Sequence, residues 1–305
     1  MKNTAIKLYF FYKNVKTIIG DIMNFKSDFA DEILDVNKKD YKKKIKEFNG
    51  IKMTSIEILK DKNSFNKEKG KYISIDFKNM YDEKTRVNVS EFLVKSLHEL
   101  YKIHKDDKIL IVGLGNEKII ADSLGPVVAN KIVVTNHLFH ILPENDKKNM
   151  NKVCVFTPKV MGQTGLESAD LIKAVKDIYN PSLIIIVDAL ATSSISRINK
   201  VIQLSDTGIA PGSGVGNYRK EINEKNMKCK VIAIGVATVV KASNIIEELN
   251  LDIKMKDESD YDLILTPKEI DEEIEHLSTI IASSINNYSH SNFKSMWFDK
   301  IVYVK

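Results

Sequence analysis

Two aspartates and one loop hold most of the chemistry available to this sequence. Asp188 closes the unbroken apolar run Leu183-Ile184-Ile185-Ile186-Val187, and Asp122 follows a second run, Lys108 to Gly113 (KILIVG), by a short glycine-containing loop. Apolar runs without alternation are what parallel strands covered on both faces require, so each acid sits at or just beyond the carboxyl end of a buried strand. In open α/β sheets that rim is where the departing loops leave a crevice for ligands. If the two strands are neighbours, both carboxylates face one crevice. Close like charges pull their protonation apart, so that one acid stays ionised and activates water while the other stays protonated and donates to a leaving group. Peptide hydrolysis needs both roles. The same pair can instead hold a divalent metal, with a metal-bound water as nucleophile. Downstream, Asp206 to Asn217 (DTGIAPGSGVGN) holds four glycines and a proline, a composition that exposes backbone amides. The amides of Gly212 to Gly216 are candidates to polarise a scissile carbonyl. Each acid also has a purely structural reading, Asp122 as the N-cap of the following helix and Asp188 as the end of a core strand.

Other chemistries fit less well. Serine catalysis needs a histidine beside a nucleophile, and His98, His104, His137, His140, His276 and His290 lie in helical or loop contexts without such a partner. Gly113-Leu114-Gly115 could open a dinucleotide fingerprint, but the third glycine and the downstream acid are missing at the usual spacing. Cys154 and Cys229 sit in apolar, strand-like contexts and read as buried small hydrophobes in a reducing compartment. With no CxxC pair, structural zinc is not expected. The 46 basic and 41 acidic residues leave a charge of only +5, spread along the chain. The basic run Asn37 to Lys46 (NKKDYKKKIK) lacks aromatic interleaving, so it reads as a solvated surface rather than a nucleic-acid contact. The start of the chain has too short an apolar run for a signal peptide, and nothing approaches transmembrane length. These features lead us to expect a soluble, cytoplasmic protein with no membrane partner.

The elements that must position the acids follow from periodicity. The 305 residues suit one large α/β domain with extensions. Residues 1 to about 25 do not fit the pattern of the rest and read as an N-terminal appendage. Phe25 to Asp35 is a short acidic amphipathic segment. Strands are expected within Lys52 to Leu59 and at Lys71 to Phe77, which could pair as edge strands, and Asn88 to His104 has helical spacing. Strand Lys108 to Gly113 leads through a loop to a helix over Asp122 to Thr135. Strand Lys152 to Phe156, helix Ser168 to Tyr179 and strand Leu183 to Asp188 imply a right-handed crossover. Further strands are expected at Ser196 to Leu204 and Val231 to Val236, with helices at Val239 to Leu249 and Pro267 to Tyr288, then a strand or packed tail.

Several blocks in one order resemble the germination protease family of endospore-forming bacteria: GLGNEKIIADSLGP (Gly113 to Pro126), KVMGQTGLESADLI (Lys159 to Ile172), Ile184 to Glu221, VIAIGVATVV (Val231 to Val240) and LTPKEID (Leu265 to Asp271). The resemblance implies an endopeptidase that degrades the small acid-soluble proteins of spores. It further implies a precursor whose propeptide corresponds to residues 1 to 25, a single α/β peptidase domain over 26 to 305, a homotetramer, and a forespore or spore-core location. It assigns an aspartic-type mechanism to Asp122 and Asp188 without a cofactor. The expected fold is a mostly parallel or mixed sheet flanked by helices, similar to hydrogenase maturation endopeptidases, whose acids at similar positions bind metal. That similarity keeps a divalent metal as the alternative mechanism. A catalytically inactive paralogue that binds spore proteins is the non-enzymatic alternative. The chain departs from the family pattern at Ile120-Ala121, Ser193, Ala210, Ala237 and Lys241, where Thr-Pro, Arg, His, Pro and Asp are usual.

Overall fold

The structure is a computed structural model that describes residues 27–32, 40–61, 63, 67–148, 150–212, 219–249 and 263–290. In chain order its main elements are strands β1 (Tyr41–Phe48), β2 (Ile51–Ile58) and β3 (Gly70–Asp76), helix α1 (Glu83–Leu100), β4 (Lys108–Gly113), α2 (Leu124–Asn130), β5 (Lys152–Phe156), α3 (Ser168–Tyr179), β6 (Leu183–Thr192), β7 (Val201–Ser205), β8 (Lys230–Lys241), α4 (Ala242–Glu248), β9 (Ile264–Leu265) and α5 (Ile270–Ser289). The fold is mixed α/β. One sheet has the order β1-β2-β3-β7-β8-β6-β4-β5, with β9 added beside β8. Its β5-β4-β6-β8 portion is parallel, whereas β7, β3, β2 and β1 extend it as an antiparallel wing.

Helices cover both faces of the parallel portion, which is why its strands carry apolar runs instead of alternation. Ile109, Ile111, Ile185 and Val187 pack on one side with Leu93 and Leu97 of α1, Leu124 and Val128 of α2, and Leu277 and Ile281 of α5. Leu110, Val112, Ile184 and Ile186 face the other side with Ala169 and Ile172 of α3. Adjacent strands β4 and β6 run in parallel register from Ile109 opposite Leu183 to Gly113 opposite Val187. The carboxyl ends of the two acid-bearing strands therefore lie next to each other.

Several boundaries differ from the sequence reading, for local physical reasons. The expected strand at Ser196 to Leu204 begins only at Val201, because Ile195–Arg197 winds into a 3-10 turn. Strand β8 runs five residues further than expected, to Lys241, and α4 starts only at Ala242. The apolar stretch Val236 to Val240 satisfies a buried strand and a buried helix equally well. The two alternating segments do pair as β2 and β3, but neither is an edge. The basic run supplies β1, which lies outside β2 and exposes most of its side chains. Both cysteines are only partly buried. The expectations for residues 1 to 25 and for the tail after His290 lie outside the described residues. Among the described residues no helix is long and apolar enough to cross a membrane.

Candidate active site

Asp188 lies within β6, four residues before its end, because the strand continues through Ala189, Leu190 and Ala191 to Thr192. It is only 6% exposed. Its Oδ1 accepts a hydrogen bond from the amide of Ala189 at 3.0 Å. Burial pushes its pKa well above the ordinary carboxylate range, and the negative charges of Asp122 and then Asp28 push it the same way, against the weaker opposing effect of the Ala189 bond.

Asp122 corrects one structural reading. It does not cap a helix: it ends a 3-10 turn, Ile120–Asp122, and α2 starts at Leu124 after Ser123. Its carboxylate turns back to the loop, where Oδ2 accepts from the amide of Asn116 at 2.8 Å, an amide shared with the Asp122 carbonyl at 3.0 Å. Burial raises its pKa to about 6, opposed by the Asn116 bond. Glycine makes this loop possible. Gly115 has φ +118°, and a Cβ there would fall 2.0 Å from the Asp122 carbonyl oxygen. A Cβ on Gly125 would meet the Leu114 carbonyl at 2.1 Å and that of Val187 at 2.6 Å, so α2 presses its backbone onto the ends of β4 and β6. The Leu114 amide bonds the Val187 carbonyl at 2.8 Å, tying the loop that carries Asp122 to the strand that carries Asp188.

The structure thus places both predicted acids at one rim of the sheet, close enough for the charge of one to act on the other. Burial makes both acids harder to ionise than a free carboxylate, Asp122 with a pKa of about 6 and Asp188 raised also by the charges of Asp122 and Asp28. The chemistry open to such a pair is base and acid on a single water. Of the glycine-rich loop, Gly212 is described, with φ +75°, while residues 213–218 lie outside the described residues. Among the described residues no group of three or more His, Cys, Asp or Glu side chains is placed to hold a metal ion.

Sequence reasoning missed the residues that surround the pair. Ser27 to Glu32 lies across the exit of β6: the Asp28 amide donates to the Ala191 carbonyl at 3.1 Å, and the Ala191 amide donates to Asp28 Oδ2 at 2.9 Å. Gln203 of β7 grips the segment from both sides, accepting from the Ala30 amide at 2.9 Å and donating to the Asp28 carbonyl at 3.1 Å. Lys67 donates to the carbonyls of Ser27 and Asp28, and burial lowers its pKa despite the opposing pull of Asp28 and Glu32. Arg197 ion-pairs with Asp31 at 2.8 Å, Glu32 at 2.7 Å and Asp76 at 3.1 Å, and its guanidinium carbon lies 5.0 Å from the Phe29 ring centroid. The acidic composition of this segment was visible in the sequence, but its partners Gln203 and Arg197 are more than 160 residues away.

An α/β sheet with one buried and one partly buried carboxyl at the carboxyl rim of its parallel strands, the charge of the second acting on the first, defines a protein with a paired-acid centre. The germination protease family model matches residues 21–257. A germination protease of Clostridium tetani is 36% identical over 292 residues, covering 84% of this chain and 89% of the relative. One from Oceanobacillus iheyensis is 45% identical over 184 residues, or 59% of this chain and 50% of the relative. The chain belongs to the germination protease family, which makes it a protease. Among solved structures, a [NiFe] hydrogenase maturation protease of Thermococcus kodakarensis matches with a TM-score of 0.34 and 18% identity, over 63% of this chain and 99% of that one.

Proposed function

We propose that the protein is an endopeptidase that starts the breakdown of small acid-soluble spore proteins during germination, using Asp122 and Asp188 to activate water. The observation that carries this reading is that two carboxyls, both raised above their ordinary pKa by burial, sit at one rim of the sheet in a chain of the germination protease family. Ionised Asp122 accepts a proton from water as the water oxygen attacks the scissile carbonyl carbon. Protonated Asp188 hydrogen-bonds the carbonyl oxygen as charge develops there. As the C–N bond breaks, the proton taken up by Asp122 passes to the departing amine, the carbonyl re-forms as a carboxylic acid, and Asp122 returns to its carboxylate with Asp188 still protonated.

In the same reading the rate needs no bound metal, residues 1 to about 25 are a propeptide removed from a precursor, and the remainder is one peptidase domain. The working form is a homotetramer in the forespore or spore core. The test is to incubate the purified chain with a small acid-soluble spore protein and follow fragments by mass, with and without chelator. Discrete fragments that persist under exhaustive chelation support the reading. Stoichiometric binding without fragments, or activity that chelation abolishes and divalent ion restores, overturns it.

A further inference from the structure

Glu32 gathers an unusual number of donors for one carboxylate. Its oxygens accept from the hydroxyl of Ser27, the hydroxyl of Thr192 at 2.6 Å, the amide and hydroxyl of Ser193 at 2.8 and 2.6 Å, and the guanidinium of Arg197 at 2.7 Å. A carboxylate offers about four lone-pair sites, so this one is saturated. Burial opposes its charge, yet the hydrogen bonds from Ser193, Ser27 and Thr192 and the charge of Arg197 hold its pKa below the ordinary value. Thr192 and Ser193 lie only four and five residues beyond Asp188 on the same strand exit, and Ala191 just before them is bracketed by Asp28. Three successive residues after the buried acid are therefore fastened to one short segment from the far end of the chain.

The sheet needs this fastening there. Between Leu190 and Ala191 the register with β8 slips: Leu190 pairs with Ala237 but Ala191 with Val239, leaving Thr238 as an additional residue. Such a bulge interrupts the ladder, bends the strands and re-aims their side chains. Strand β4 gives no support at this level, since its pairing with β6 ends at Gly113 opposite Val187.

We propose that Glu32 is a positioning residue for the hydrolysis: by knotting Ser27 to Glu32 onto Thr192, Ser193 and Arg197, it fixes the exit of β6 beside the β8 bulge and so the direction of Asp188. The proposal rests on the two-aspartate reading for its catalytic consequence, but the anchoring itself does not. Full-length Glu32→Ala, Glu32→Gln and Asp188→Asn are compared with the parent, at a temperature well below every melting midpoint. The readouts are cleavage kinetics on a small acid-soluble spore protein and amide hydrogen exchange.

Glu32→Ala should lower kcat by roughly tenfold to a hundredfold with KM changed by less than about twofold, because a slight misplacement of a reacting group costs rate rather than binding. The isosteric Glu32→Gln, which keeps one acceptor oxygen, should fall between Ala and the parent. Exchange at the Ala189 and Ala191 amides should speed up in Glu32→Ala while amides of Ile109 to Val112 stay protected. A purely structural role would lower the melting midpoint and leave kcat at the parent value, which overturns the proposal. Unchanged exchange at Ala189 and Ala191 overturns the anchoring whatever the activity. If Asp188→Asn cleaves at the parent rate, the two-aspartate reading is what fails, and the exchange data still decide the anchoring.

Discussion

At the scale of single residues, Asp122 and Asp188 are the same chemical group in two settings. Asp122 keeps one amide donor and a partly open position; Asp188 is buried beside two other acids. If Asp122 is the base, kcat/KM should fall as pH drops through about 6, where its carboxylate protonates. Replacing either aspartate by Asn should abolish cleavage and leave the fold intact, read by fragment mass and circular dichroism. The same burial has a stability consequence whose sign is fixed. Because the folded pKa of Asp122 lies above the ordinary 3.8, the folded state holds its proton longer, and stability is lost as pH rises from 3.8 through about 6. Asp122→Asn removes that penalty, so it should be more stable than the parent by about 1–3 kcal/mol in mildly alkaline buffer and no different in strong acid, measured by urea unfolding.

The acids themselves were legible in the sequence because an apolar run that stops at a carboxylate has few explanations in a buried strand. The Asp122 setting was not legible. An aspartate ahead of an apolar segment is a common helix cap, and only the close approach permitted by Gly115 and Gly125 turns the side chain back to Asn116. Asp28, Glu32, Lys67 and Arg197 were invisible for a different reason: hydrogen bonds and ion pairs between residues far apart in sequence leave no spacing signature.

At the scale of elements, the loop between β4 and α2 and the exit of β6 are the two parts without slack. Gly125→Ala would put a methyl group against two carbonyl oxygens of neighbouring strands. It should cost about 1–3 kcal/mol or more in urea unfolding and lower activity as well, since the displaced helix takes Asp122 with it. Arg197→Ala leaves Asp31, Glu32 and Asp76 facing one another without their shared cation. Breaking a buried ion pair from one side costs about 3–5 kcal/mol, a loss that thermal unfolding would report. The strands of the parallel core were legible because burial on both faces writes an unbroken apolar run. Strand β1 was not. It is an outer strand whose lysines face solvent and protect an otherwise open edge, so it lacks the apolar alternation of a half-buried strand.

At the scale of the whole molecule, the end opposite the acids has its own pH response. His290, which caps the end of α5, is buried; its Nδ1 receives the Asn151 amide at 3.4 Å, and burial lowers its pKa from 6.5 to about 4. The folded state thus binds this proton more weakly than the unfolded chain. Stability is complete above about 6.5 and declines as pH falls towards 4, by up to about 3 kcal/mol from this group. Melting curves across that range should show a steeper decline for the parent than for His290→Gln, even if the variant starts lower at neutral pH.

The additional residue Thr238 in β8 works as a phase shift in the strand pair. Deleting it would restore an uninterrupted ladder with Val239 still opposite Ala191, but would remove the local bend and added twist that the extra residue gives this pair. An engineer who straightened this irregularity for the sake of regularity would therefore re-aim the end of β8 and disturb the strand's union with Leu265. Anyone grafting β6 into another scaffold would have to bring along both the irregular neighbour and the six residues 27–32 that brace it.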